Sequence, residues 1–434
     1  MATLGEDVAS KIALFIADQS DLIAFLGALR PLKLLGPLEH LLQLSLDHPR
    51  ANVWPKLDLS ALDLTSLTTF VAVEATAKYY SCVSVTDFTD MQWLETHLNP
   101  EVKLEWSIDS DPSSVQYWNE WTSLHMTHLS ITVKNFNYSH LVDALPLLNN
   151  LKSLCLSVPI GKVNWLDEVL AFAATSAHLE SLELLTAQRQ NITASMVQNT
   201  IAWFNRQPVR VFAMWNWNWV FVDKILTQTF FDTIFDYPML DHLHIANTSL
   251  LDMDFSSVIL SMRSLHLDNC LSSPQLRSLA TQLESSTVQE VTIVVSREGC
   301  YHGLLYFLQH LHLCPSIQSL DLALHCNMSG AWESFLPLFE RCQLKSLTLR
   351  DKSFDFDSLS LLGTVVRSNR CLCHVQFPGK MVDLEDIRNF LEMATIPNRP
   401  VDIKSIRIDG LDISPVDKRT LVQMVVPYGV QMYL

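Results

Sequence analysis

The sequence predicts an α/β solenoid, a stack of strand-plus-helix units with a parallel sheet along one side and helices along the other. Two observations carry this expectation. A six-residue pattern, apolar-x-x-apolar-x-apolar, recurs at near-constant spacing, and segments of helical periodicity fill the intervals. The clearest copies are Leu151-Lys-Ser-Leu154-Cys-Leu156, Leu179-Glu-Ser-Leu182-Glu-Leu184 and Leu240-Asp-His-Leu243-His-Ile245. The pattern continues at Met262 to Leu267, Val288 to Ile293, Ile317 to Leu322, Leu344 to Leu349 and Leu372 to Phe377. Weaker copies stand at Trp54 to Leu59, Tyr80 to Val85, Leu104 to Trp106, Met126 to Ile131, Val209 to Val211 and Ile403 to Ile408. With the second apolar position as phase marker, Leu57 to Ile406 gives about 27 residues per interval.

Alternation within each copy is what a short strand needs when one face packs on a core and the other does not. Between copies, Trp165 to Phe172, Phe356 to Val366 and Leu384 to Met393 carry apolar residues three and four apart, as helices do. One strand and one helix cannot bury their apolar faces alone, so neighbours must stack. From about residue 54 to 434 the pattern resembles the leucine-rich-repeat family, with about 13–14 repeats. That resemblance implies a horseshoe with the sheet on its concave side, helices on its convex side, and a binding role. The family's Asn or Cys after each strand is clear only at Cys270 and nearly in place at Asn247, which predicts an irregular ladder and looser turns.

Composition narrows the function. With 48% hydrophobic and 18% charged residues the chain is too apolar for disorder. The 30 basic and 46 acidic residues give a net charge of −16, which repels a phosphate backbone, so nucleic acid is not an expected partner. Nine cysteines without framework spacing suit reduced thiols. The first residues are acidic rather than basic, and no apolar run is long enough to span a bilayer, so a cytoplasmic or nuclear protein without a membrane partner is expected.

Residues 1–50 lack the repeat and read as short helices over Asp7 to Ala17, Ser20 to Leu29 and Pro37 to Leu46, the second capped by Ser20. The remainder, residues 51–434, forms the repeat domain. The stretch from Leu4 to Leu26 resembles an F-box: Leu4, Val8, Ile12 and Ile16 fall on its first apolar stripe, Leu22 and Leu26 on its second, and Asp21-Leu22 matches the family's Asp-Leu. Gly5 stands where that family usually has Pro, and Gly27-Ala-Leu-Arg-Pro31 replaces its Val-Cys-Lys-x-Trp stretch. The resemblance implies that Leu4, Val8, Ile12, Ile16, Leu22 and Leu26 bind a Skp-type adaptor of a cullin complex. It further implies that the repeats hold an unknown protein substrate for ubiquitin transfer, the chain itself supplying no catalytic residue. The alternative is a ribonuclease-inhibitor-like scaffold whose first helices only cap the repeats.

Side chains between the apolar positions of a strand face away from the core. His242, His244, His266 and Asp268 are therefore expected as neighbours on the concave face, a binding surface rather than a metal site because no ligand-spacing motif accompanies them. The run Met214-Trp-Asn-Trp-Asn-Trp-Val220 alternates, which would put its three Trp on one face, with Trp215 and Trp217 as candidate substrate contacts and core packing as the competing role. The interval from Val209 to Leu243 is the longest and predicts a protruding loop. Cys371 and Cys373 read as small packing groups. No phosphate loop, nucleophile elbow or zinc-protease helix occurs, so no cofactor, metal or enzymatic activity is expected.

Overall fold

A strand of this chain buries two apolar side chains and leaves the residues between them outside, and that alternation repeats through the computed structural model. The structure describes residues 2–87, 90–109, 121, 124–132, 138–158, 165–250, 253–326, 330–351, 354–396 and 399–434. Two compact units result, Met1–Gln188 and Arg189–Leu434. Fifteen strands in parallel ladders, six in the first unit and nine in the second, confirm the α/β leucine-rich-repeat solenoid among the described residues.

In the first unit, helices Ala2–Phe15, Gln19–Leu29 and Leu38–Asp47 precede the strands. The middle helix starts earlier than the sequence suggests. Asp18, not Ser20, is its cap and accepts the Ser20 and Asp21 amides at 2.8 and 2.9 Å. Strands β1 (Leu57–Asp58), β2 (Cys82–Thr86), β3 (Lys103–Ile108), β4 (Met126–Ile131), β5 (Ser153–Val158) and β6 (Ser181–Thr186) follow in chain order. Val83 pairs with Leu104, Leu129 with Leu154, and Leu154 with Leu182. Between β3 and β4 the register breaks. Leu104 pairs with Met126 but Glu105 with His128, leaving Thr127 as an extra, buried residue whose hydroxyl donates to the Leu104 carbonyl at 3.3 Å. Such a bulge absorbs one residue without turning the apolar face outward.

The second unit contains β7 (Gln190–Asn191), β8 (Val211–Trp215), β9 (Trp217–Asn218), β10 (His242–Ala246), β11 (Ser264–Asp268), β12 (Glu290–Val295), β13 (Ser319–Leu324), β14 (Ser346–Asp351), β15 (His374–Pro378), β16 (Ser405–Asp409) and β17 (Gln431–Tyr433). From β8 they pair in chain order, while β7 and β9 form a separate two-stranded sheet. One strand departs from its expected phase. Phe212, not Val209, pairs with Leu243, because Phe212 and Met214 are the buried pair and Val211 is half-exposed. A further strand, β17, lies beyond the last sequence copy. Its alternation over three residues is too short to read in the sequence.

The turns after the strands are more regular than the missing Asn/Cys pattern suggests. Asp87, Asn216, Asn247, Asn269 and Gly410, each directly after a strand, take positive φ between 48° and 71°. Asn, Asp and Gly tolerate that region best. The amides of Asn216, Asn247 and Asn269 then continue the ladder to Ala246, Asp268 and Val294, and the Asn269 side chain donates to that of Asn247 at 3.2 Å. Return helices start at Thr193, Asp223, Asp355, Asp383 and Ser414, each accepting a backbone amide of the first turn.

Between sheet and helices, Trp203, Phe204, Phe212, Trp217, Phe230, Phe231, Phe235 and Phe255 are fully buried and meet edge-on or tilted at 5.2–6.4 Å between centroids. Buried Asn369 ties two successive repeats. Its amide donates to the Phe339 and Cys342 carbonyls at 2.7 and 3.0 Å, and its oxygen accepts the Cys371 and Leu372 amides at 2.8 Å. Asn369→Ala removes four hydrogen bonds at once and leaves the Cys342 carbonyl and the Cys371 and Leu372 amides without these partners, so a loss of about 2–4 kcal/mol is expected. Equilibrium urea denaturation checks it, and a loss under about 1 kcal/mol contradicts it.

Candidate protein-interaction surfaces

The first helix presents its large apolar residues to solvent. Val8 is 51%, Ile12 45% and Phe15 89% exposed, while Ala9 and Ala13 turn inward. Ile16 is half-buried, and its carbonyl accepts the Trp54 indole at 2.7 Å. The stripe expected from the F-box spacing therefore divides. Leu22 and Leu26 are fully buried in the second helix and are corrected to core residues, because both face inward with Leu38, Leu41 and Leu42 of the next helix. The Leu4 side chain lies outside the described residues. What remains on the surface is Val8 and Ile12, joined by Leu14 and Phe15, which the stripe did not include.

In the second unit, the residues between the buried positions form rows across the ladder. One runs Ala213, His244, His266, Thr292, Asp321, Thr348, Gln376, Arg407. The next runs Trp215, Ala246, Asp268, Val294, Ala323, Arg350. Three of the four expected polar neighbours come together. His244 and His266 stack with ring centroids 3.7 Å apart and planes 11° apart, and Asp268 stands on the same strand as His266. The fourth, His242, is exposed in the row before. Trp215 meets the edge of His244 at 5.2 Å.

Trp217 does not join them. Asn216, at φ 60°, reverses the alternation, and Trp217 turns into the core against Phe212 and Phe230 with no exposed surface. It is corrected from surface contact to core, and Trp219 is buried as well. The Arg350–Asp321 ion pair was not singled out in the sequence, although Asp321 occupies the position in its repeat that His266 occupies in its own. Cys373 is buried with its thiol on the Lys345 carbonyl at 3.4 Å, while Cys371 is half-buried. Among the described residues no group of three or more His, Cys, Asp or Glu is placed to hold a metal ion. No helix there is long and apolar enough to cross a membrane.

Burial governs the electrostatics of this face. It lowers the His244 pKa to about 3, with His266 beside it adding to the effect, and lowers that of His266 to about 4, with Arg350 adding. Burial also raises the Asp268 and Asp321 pKa values, the latter against the pull of Arg350. Both imidazoles are therefore neutral near pH 7, which permits the close stack. Below about pH 6.5 an unfolded chain takes up protons that the folded pair refuses until about pH 4 and about pH 3. Stability present above pH 6.5 is thus lost progressively on acidification. Urea midpoints at pH 7 and pH 5 test this: the parent is expected to fall further than His244→Asn/His266→Asn, and equal falls contradict it.

No protein-family model matches the chain, and no curated protein does. Solved structures are similar at low identity. The yeast Rad7–Elc1 complex shows 14% identity and a TM-score of 0.39, covering 86% of this chain and 89% of that one. The TLR13–ssRNA13 complex shows 14% identity and a TM-score of 0.35 over 74% of this chain, which spans 41% of that chain. An internalin from Listeria monocytogenes shows 11% identity and a TM-score of 0.31 over 81% of this chain and 86% of that one.

Proposed function

We propose that this chain is a protein-interaction scaffold, working as a substrate receptor of a cullin-type ubiquitin ligase in the cytoplasm or nucleus. The observation that carries the reading is the exposed apolar face of helix Ala2–Phe15, within a segment whose spacing resembles an F-box. Val8, Ile12 and Phe15, four and three residues apart, share one face of the helix and are all exposed, and an exposed apolar face suits a docking surface. The Skp-type adaptor docks there. The target protein binds the outward face of the repeat sheet, and the chain brings target and ubiquitin-charged enzyme together by raising local concentration, contributing no catalytic residue of its own. The second reading, a capped scaffold unconnected with ubiquitin, is favoured by the burial of Leu22 and Leu26, which is what a cap does.

Co-purification of a Skp-type adaptor with the full-length chain and with Val8→Glu/Ile12→Glu/Phe15→Glu separates the two. All three sites are exposed, so folding is expected to survive the change. Retention by the parent and loss by the variant is the expected result. A parent that retains no adaptor, or a variant that retains it fully, favours the capped scaffold.

A further inference from the structure

Among the described residues, the strands of the second unit's main sheet carry five carboxylates. Four have partners. Glu290 meets Arg263 at 3.1 Å, Asp321 meets Arg350, Asp409 meets Arg407 at 3.0 Å, and Asp351 accepts the Trp332 indole at 2.7 Å. The Asp268 carboxylate has neither an ion pair nor a hydrogen bond, and its Oδ1 is buried and unpartnered. The Nε2 atoms of His244 and His266 are likewise unpartnered, and the two rings are stacked in the adjoining row.

The surroundings of Asp268 are shaped as well as charged. In its row it stands between Ala246 on one side and Val294 and Ala323 on the other, all short and buried, with the larger Trp215 and Arg350 at the two ends. Short side chains therefore flank the carboxylate, and the row ends on an aromatic ring two strands away. Besides burial, the exposed His325 is the side chain that bears on Asp268, and it acts to lower the Asp268 pKa. An anion finds little here, because Arg350, Arg263 and Arg407 are already neutralised by their own carboxylates. Uncompensated negative charge in a row that ends on an aromatic ring suits a cation.

We infer that the row from Trp215 to Arg350 receives a basic side chain, arginine or lysine, of the bound protein, with Asp268 as its counter-ion and Trp215 against its stem. This deepens the proposed role of the sheet face and rests on it. Burial raises the Asp268 pKa, so the fold gains nothing from ionising this group, whereas a bound cation favours the ionised form.

The test uses the full-length chain and fluorescein-labelled hexa-arginine, read by fluorescence anisotropy, with hexa-glutamate as the anionic counterpart. Hexa-arginine is expected to bind and hexa-glutamate not. Asp268→Asn is expected to weaken hexa-arginine binding by at least about tenfold while melting no lower than the parent. Asp268→Glu, which keeps the charge, retains binding. Glu385→Gln, an exposed carboxylate on helix Leu384–Ala394, leaves binding unchanged and controls for the overall charge of −16. Equal binding by Asp268→Asn and parent overturns the inference, and so does an equal loss in Glu385→Gln, which would make the attraction diffuse. Adaptor retention by Asp268→Asn is scored in parallel. If it persists while peptide binding ignores residue 268, the basic-side-chain site fails and the receptor reading stands.

Discussion

The column of apolar side chains that runs across the parallel ladder is the constraint on which the rest of each unit depends. In the second unit Phe212, Leu243, Leu265, Val291, Leu320, Leu347, Val375 and Ile406 stand in register, each beside its neighbour on the next strand. Each fully buried side chain contributes about 1.5–3 kcal/mol, but only once its neighbours are in place. Because side chains alternate, fixing this column fixes the opposite face too. A one-residue slip would bury His244 and His266 and expose Leu243 and Leu265. The core register thus brings the two histidines together and sets Asp268 beside them.

The connections obey the same constraint. A strand that ends on the column has to turn at once toward its return helix, and Asp87, Asn216, Asn247, Asn269 and Gly410 make that turn in the left-handed region. The backbone amides of Asp87, Asn216, Asn247 and Asn269 keep the ladder intact through the turn. At Asn216 this turn also decides chemistry. It leaves Trp215 at the surface beside His244 and sends Trp217 into the core, two fates for residues only two apart.

Much of the architecture was legible because it rests on period and spacing, which survive in a single sequence. The strands around Leu154, Leu182, Leu243, Leu265, Leu320 and Leu347 stand where their pattern puts them. The failures have local causes. Val209, Val211, Phe212 and Met214 offer competing phases, and only the burial of Phe212 and Met214 decides between them. Thr127 is an extra residue that a six-residue template cannot accommodate. In helix Ala2–Phe15 the inward face is Ala9 and Ala13, so the larger Val8 and Ile12, which a hydrophobicity pattern favours for burial, are outside. At the sheet face, alternation located His244, His266 and Asp268. It could not show that Asp321 is neutralised by Arg350 while Asp268 is not, since that depends on contacts between strands about 30 residues apart.

The proposed function divides between two surfaces, an apolar one on the first helix and a polar one on the repeat sheet. Hydrogen–deuterium exchange of the full-length chain, alone and with a Skp-type adaptor, tests it most directly. New protection within residues 2–29 and unchanged exchange in β10 to β14 are the expected result. Exchange unaltered in the first helix, or protection appearing on those strands instead, would contradict it.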